Sequence, residues 1–451
     1  MDARETDGRG CGRLLWTALV IVLGLITAAL VATTSKGHGQ AEHYYFGTLT
    51  TDPAKAGQEH DRGIEVAQLN LRWDLYEPAP GVYDRDYLAE LSRTLRTLHR
   101  AGSRIEVGLG LNHPPGWLFD RFPDAAYVDQ YGNRYTGTAN IVFSAAVRGE
   151  AQAYLARVQR DIGLGTFWAI RVGVDAEGEF LYPPANTGGG SINYWAFDSN
   201  AQGGAADPGR PATILPDPFP GWRPGSHEYR GRAFSTAEVA QWYHWYLGSL
   251  ADAVDWQIGF YRSLGYQGYL KVLVPGSGYY PASLQEAIGH FLQGATTPGL
   301  LGSGAGFFKT LALIKQRAGV VITSTSLVDG SGTPRNNGCA RSDLKVDILA
   351  LPADPVIYSW SSVRWIANIA VRDGFTRLSG ESAGAQVADY YPGVMDDAAR
   401  QMSSCGLRGL MWAFDESLYD GTPGSSLADY ASVVRRYRQA PVDGLGALAG
   451  Q

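Results

Sequence analysis

DYLAELSRTLRTLHRAGSRIEVGLGLN, residues Asp86–Asn112, decides the fold. Leu88, Leu91, Leu95 and Leu98 recur at helical spacing, and Gly102 supplies a stop. A few residues later comes RIEVGLGLN (Arg104–Asn112), an apolar run closed by a polar residue, which reads as a strand. A helix feeding a buried strand is the repeating piece of a parallel sheet.

The same alternation continues on both sides. Two further strand-like runs lie upstream, HYYFGTL (His43–Leu49) and VAQLNLRWDLYEP (Val66–Pro78). Five lie downstream: Phe167–Phe180, Tyr269–Gly278, Val320–Val328, Gly374–Ser382 and Gly406–Ser417. Helical patterns occupy Ser235–Gly265, Ser361–Gly374 and Ser426–Ala440, the first opening with Ser235 and Glu238 as a capping box. Eight strands predict an α/β chain folded as a single (β/α)8 TIM barrel over residues 41–440. A doubly wound open sheet is the structural alternative. It would offer a glycine-rich phosphate loop after the first strand, and Thr48–Gly57 is not one. Two stretches, Tyr182–Ser235 and Asp329–Pro355, are long and rich in Gly and Pro. In a barrel such loops build the carboxyl-terminal face.

Composition narrows the function. Apolar residues make up 45% of the 451 and charged residues 18%, enough for a large core. A net charge of −6 offers no basic field for a phosphate backbone, so no nucleic-acid partner is expected. Three cysteines exclude a four-cysteine zinc site, and no H-E-x-x-H or Walker pattern occurs. The expectation is an enzyme or binder without metal or cofactor.

Leu14–Ala32 is an uncharged apolar run of 19 residues preceded by Arg4, Arg9 and Arg13. It predicts a transmembrane signal anchor with residues 1–13 cytoplasmic, 33–40 a linker and the barrel outside. Cleavage as a signal peptide is the alternative, with secretion as its result. Residues 441–451 read as a tail. Outside the cytosol a disulfide between Cys339 and Cys405 is permitted, and two unpaired thiols are the other reading.

Chemistry on a barrel sits where the strands end. Asp175, Glu177 and Glu179 close the fourth strand, Glu381 the seventh, and Asp415 and Glu416 the eighth. Trp73 and Asp74 close the second, Asn112 and His113 the third. Two carboxyl groups facing each other across the barrel mouth suit glycosidic cleavage, one to protonate the leaving oxygen and one to attack carbon or activate water. Trp73, Trp117, Trp195, Trp222, Trp360 and Trp412 offer flat faces for sugar rings, and His113 a contact for a sugar hydroxyl.

Arg72–Leu91, RWDLYEPAPGVYDRDYLAEL, resembles the W-x-x-x-E-P-x-x-G-x-Y-D segment of the family 42 beta-galactosidases, with Arg85 in place of the usual aromatic. Ile105–Leu118 is similar to that family's third-strand segment. Gly374–Gly384 and Gly409–Ser417 resemble the seventh-strand glutamate and eighth-strand tryptophan of the same barrel clan of retaining glycoside hydrolases. The fourth strand departs. Where the clan has Asn-Glu this chain has Ala176-Glu177, and Val172–Pro183 looks more like the G-x-A-G-E-L-R-Y-P segment of beta-amylases, which selects Glu179.

The resemblance implies a glycoside hydrolase with Glu179 as general acid/base, Glu381 as nucleophile and Glu177 as the competing acid. Trp73, Asn112, His113, Asp175, Trp360 and Trp412 would bind the sugar. The expected partners are a carbohydrate and, through the amino-terminal segment, a membrane, with no required protein partner. The alternatives are an inert barrel that binds envelope polysaccharide and an inverting, beta-amylase-like hydrolase.

Overall fold

Each apolar run pairs with its neighbours in parallel, because every connection returns the chain to the same end of the sheet. A computed structural model describes residues 43–185, 192–293, 299–440, 442 and 445. The barrel strands are β1 (Tyr45–Thr48), β2 (Val66–Asn70), β3 (Arg104–Gly108), β4 (Ala169–Val172), β5 (Tyr269–Val274), β6 (Val320–Leu327), β7 (Leu378–Ser382) and β8 (Leu407–Trp412). They close as β1-β8-β7-β6-β5-β4-β3-β2, every pair parallel. The predicted TIM barrel is the observed one, and the open sheet is excluded.

The helices pack outside. They are α1 (Arg85–Arg100), α2 (Ala145–Asp161), α3 (Thr236–Ser263), α4 (Pro281–Gly289), α5 (Ser362–Arg372), α6 (Val394–Ser404) and α7 (Leu427–Tyr437), with shorter turns between. Asp84 caps α1 by accepting from the backbone of Asp86 and Tyr87. The Ser235–Glu238 capping box opens α3 as the sequence predicts. The helices α2, α4 and α6 were not anticipated. The buried stripe of α2 includes Val147, Ala151, Tyr154, Leu155 and Val158, and that of α6 Met395, Ala398, Ala399 and Met402. Alanine and tyrosine blur the aliphatic period from which such stripes are read.

The strands are shorter than predicted. β2 stops at Asn70 and Trp73–Tyr76 coils into a helical turn. β4 stops before Gly173, and Asp415–Leu418 after β8 is a 3-10 turn. Register shifts interrupt the ladders on both sides of β7, between Ser324 and Leu327 towards β6 and between Leu378 and Gly380 towards β8. Such irregularities at a barrel rim re-aim side chains.

Cys339, in the loop after β6, and Cys405, at the end of α6, form a disulfide with Cα atoms 4.9 Å apart. The predicted anchor Leu14–Ala32, its flanks 1–13 and 33–40, and most of the tail 441–451 lie outside the described residues. Among the described residues no helix is long and apolar enough to cross a membrane.

The barrel interior is polar. Barrel lumens are usually filled with Val, Ile and Leu. Here Glu106 of β3 receives Lys271 Nζ of β5 at 2.5 Å and Arg171 Nη1 of β4 at 2.9 Å. Arg171 then reaches across the lumen to Glu381 of β7. Lys271 and Glu106 are fully buried.

Candidate active site

The glycines after β4 shape the first wall. A Cβ on Gly173 would lie 1.8 Å from the Gly178 carbonyl oxygen, so only glycine lets the chain fold back there. Gly178 has φ +80°. The loop is tied by Val174 N–H donating to Glu179 O at 2.7 Å. Asp175 Oδ1 accepts from the backbone N–H groups of Glu179 at 2.7 Å and Glu177 at 3.1 Å. Asn112 Nδ2 donates to Ala176 O at 2.9 Å, pinning the loop to the end of β3. The result turns Glu179 back over the mouth of the barrel.

A cleft of about 740 Å³ opens at the carboxyl ends of the strands. Glu177, Glu179, Glu381 and Asn112 line it together with Arg171, Thr325 and Asp329. Two predicted catalytic carboxylates and the competing acid therefore share one cavity. Glu381 is 2% exposed at its side chain, whereas Glu177 is exposed.

The two deeper glutamates sit in contrasting surroundings. Glu179 Oε1 accepts from the Thr325 hydroxyl at 2.7 Å. Burial pushes its carboxyl above the usual range, against the pull of Thr325, and the charge of Glu381 adds to the rise. Glu381 instead receives a two-pronged guanidinium: Arg171 Nη1 to Oε1 at 2.6 Å and Nη2 to Oε2 at 3.1 Å. Glu179 is thus arranged to hold a proton, while Glu381 is gripped at both oxygens by a guanidinium. Asp175 lies under the loop with its carboxyl pushed well up, by burial first and by Glu179 next. It orients the acids and does not line the cleft. Among the described residues no cluster of side chains suits a metal ion.

The aromatic rim is a correction. None of the six tryptophans proposed for it lines the cleft. Trp73, Trp195, Trp222, Trp360 and Trp412 are at most 2% exposed. Trp73 stacks on Tyr154 of α2, with ring centres 4.8 Å apart, and donates through Nε1 to Glu77 Oε2 at 2.8 Å. Trp412 donates to the Ser425 hydroxyl at 2.9 Å outside the barrel. Trp360 packs on Trp365 under the loop before α5. Trp117 is half-buried and donates to the Glu77 carbonyl at 2.9 Å. Trp73, Trp117, Trp222 and Trp412 use their indole N–H to tie loops down, and the five buried rings have no free face for a sugar. His113 is half-buried beside Arg72 and Asp74, with burial holding its pKa below the usual range, and lies outside the lining. The aromatic rings that do line the cleft are Tyr261 and Phe414.

Arg171, Glu106 and Lys271 were not singled out from sequence. Their signal is a charge flanked by apolar residues inside a strand: RIEVG, AIRV and YLKVLV. A charge in such a place needs a buried partner.

Comparison with known proteins bears on this architecture. Residues 54–155 match the Glyco_hydro_42 family, described as beta-galactosidase. A beta-galactosidase of Thermus thermophilus is 35% identical over 98 residues, 21% of this chain and 14% of the relative. A beta-galactosidase of Lactobacillus acidophilus is 28% identical over 114 residues, 24% of this chain and 17% of the relative. The early part of the barrel resembles the beta-galactosidases. The aligned stretches are a small fraction of those relatives' length.

Whole-fold likeness extends further. The catalytic domain of a beta-amylase from Paenibacillus polymyxa superposes with a TM-score of 0.56 over 89% of this chain and 99% of that one, at 16% identity. A beta-galactosidase from Marinomonas ef1 gives 0.53 over 90% and 59%, at 13% identity. At such identities the likeness is one of fold.

Proposed function

We propose that this protein is a glycoside hydrolase that cleaves O-glycosidic bonds of an oligo- or polysaccharide. Glu179 is the general acid/base and Glu381 the nucleophile of a retaining reaction. The observation that carries the reading is the meeting of Glu179 and Glu381 in one cleft, the first beside a hydroxyl and the second in the fork of Arg171. Glu179, whose carboxyl burial pushes up, delivers its proton to the leaving oxygen as the bond stretches. Glu381 attacks the anomeric carbon from the opposite face. Glu179, now a carboxylate, takes a proton from the water that releases the sugar. The match of residues 54–155 to the beta-galactosidase family supports a β-galactoside as the first substrate to try.

The Cys339–Cys405 disulfide supports work outside the reducing cytosol, on an extracellular glycan. Leu14–Ala32 would tether the enzyme to a membrane, or direct its secretion if cleaved.

The test is turnover of nitrophenyl glycosides, beginning with the β-galactoside, and of oligosaccharides. Glu179→Gln and Glu381→Gln should each cut kcat by about 10³-fold or more with unchanged thermal midpoints. Anomeric NMR of the first-formed product should show retention. Inversion would recast Glu381 as the base for water. A folded wild type that binds glycans and turns none over would make the barrel a binder.

A further inference from the structure

We propose that Arg171 is the positioning residue of this site, fixing both side-chain oxygens of Glu381 in one orientation at the cleft, and that Glu106 and Lys271 hold Arg171 in place. The inference rests on the hydrolase reading and assigns the residues that orient its nucleophile.

The geometry is an unbroken chain of charges across the lumen. Lys271 Nζ lies 2.5 Å from Glu106 Oε2, Glu106 Oε1 lies 2.9 Å from Arg171 Nη1, and the same Nη1 lies 2.6 Å from Glu381 Oε1. Four strands contribute, β3, β4, β5 and β7. Two cations alternate with two anions. Burial opposes the charges of Arg171, Lys271 and Glu106. Yet Glu381 and Glu106 hold Arg171 protonated, Glu106 does the same for Lys271, and the two cations hold the Glu106 carboxyl below its ordinary range.

Of the two cations, Arg171 is the one that reaches the cleft. Its fork fits a carboxylate through two parallel donors, which fixes an angle as well as a charge. The other charged or titratable groups facing Glu381 are few. Glu179 stands across the cleft, with Glu177 beyond it, and both are acids. Tyr45 of β1 stands beside Lys271 and Ser379 at the bottom of the lumen. Lys271 is the remaining cation and is already bonded to Glu106. Arg171 therefore supplies the direct cationic contact to Glu381. A network that served packing alone would not need to end on a cleft-lining carboxylate.

The experiment measures kcat and KM in the folded full chain. Arg171→Met removes both donors from Glu381 and should lower kcat about 100-fold with KM within about twofold. Arg171→Lys keeps the charge and loses the fork. It should recover part of that loss, leaving kcat about tenfold below wild type with KM within about twofold. The double variant Glu106→Gln/Lys271→Met keeps the lumen neutral while removing the brace. It should likewise lower kcat, about tenfold. Should Arg171→Met fail to fold, the other two variants decide. Wild-type kcat in a folded Arg171 variant or in the double variant would overturn the inference while leaving the hydrolase reading intact. Full activity in Glu179→Gln or Glu381→Gln would instead overturn that reading, and this inference with it.

Discussion

The arc around β2, β3 and α2 and the arc from β4 to β8 divide the labour of the barrel. The first holds the family match, residues 54–155. The motif inside it is a lock. Trp73 donates to Glu77, Glu77 Oε1 accepts from Gly81 N–H at 2.9 Å, and Trp117 closes on the Glu77 carbonyl. Trp73, Glu77 and Gly81, which make the motif recognisable, are spent on fastening a loop. The second arc holds Glu179 and Glu381, the proposed catalytic pair, outside the matched residues. The lesson is that the family match follows the scaffold here, while the proposed chemistry rests on side chains the match does not cover.

Three variants would break or sharpen this contrast. The largest effect belongs to Trp73→Ala, which empties a fully buried stack on Tyr154. It should cost about 3–5 kcal/mol in denaturant unfolding and leave kcat of the surviving folded enzyme nearly intact. A sharp loss of kcat without loss of stability would place chemistry in the first arc.

Next comes the covalent tie of the second arc. Cys339→Ser/Cys405→Ser should lower stability by about 2–4 kcal/mol, read from denaturant midpoints, and leave kcat almost unchanged. A collapse of turnover at full stability would mean the disulfide shapes the cleft.

The smallest effect is Thr325→Val. The hydroxyl steadies Glu179 when it is charged, so its loss should favour the protonated acid. The alkaline limb of kcat/KM should move upwards by less than about one pH unit. No movement, with binding unchanged, would remove Glu179 from the acid role.

How much of this was legible follows from what a sequence encodes. Eight strands and the barrel were readable because apolar runs bounded by polar stops repeat along the whole chain. Glu381 was readable as a cleft residue because it lies at the end of β7, and Glu179 because it closes the loop that follows β4. Trp412 was misread because a strand reverses face with each residue. Met411 lies within the barrel packed on Tyr45, so its neighbour Trp412 points outward into the helix layer. Position along the strand was visible; the side of the sheet was not. Arg171, Glu106 and Lys271 escaped for the opposite reason. Each stood in plain view, but their partnership runs between strands 65 and 165 residues apart in the chain.

The lumen chain has one more consequence. Lys271 and Glu106 are fully buried, where mobile ions do not enter. Exposed pairs such as Arg436 with Asp396 fade as ionic strength rises and the screening length falls to about 8 Å and below. The pair at the centre of the barrel is shielded by protein instead, so brine and dilute buffer leave the brace behind Arg171 equally strong.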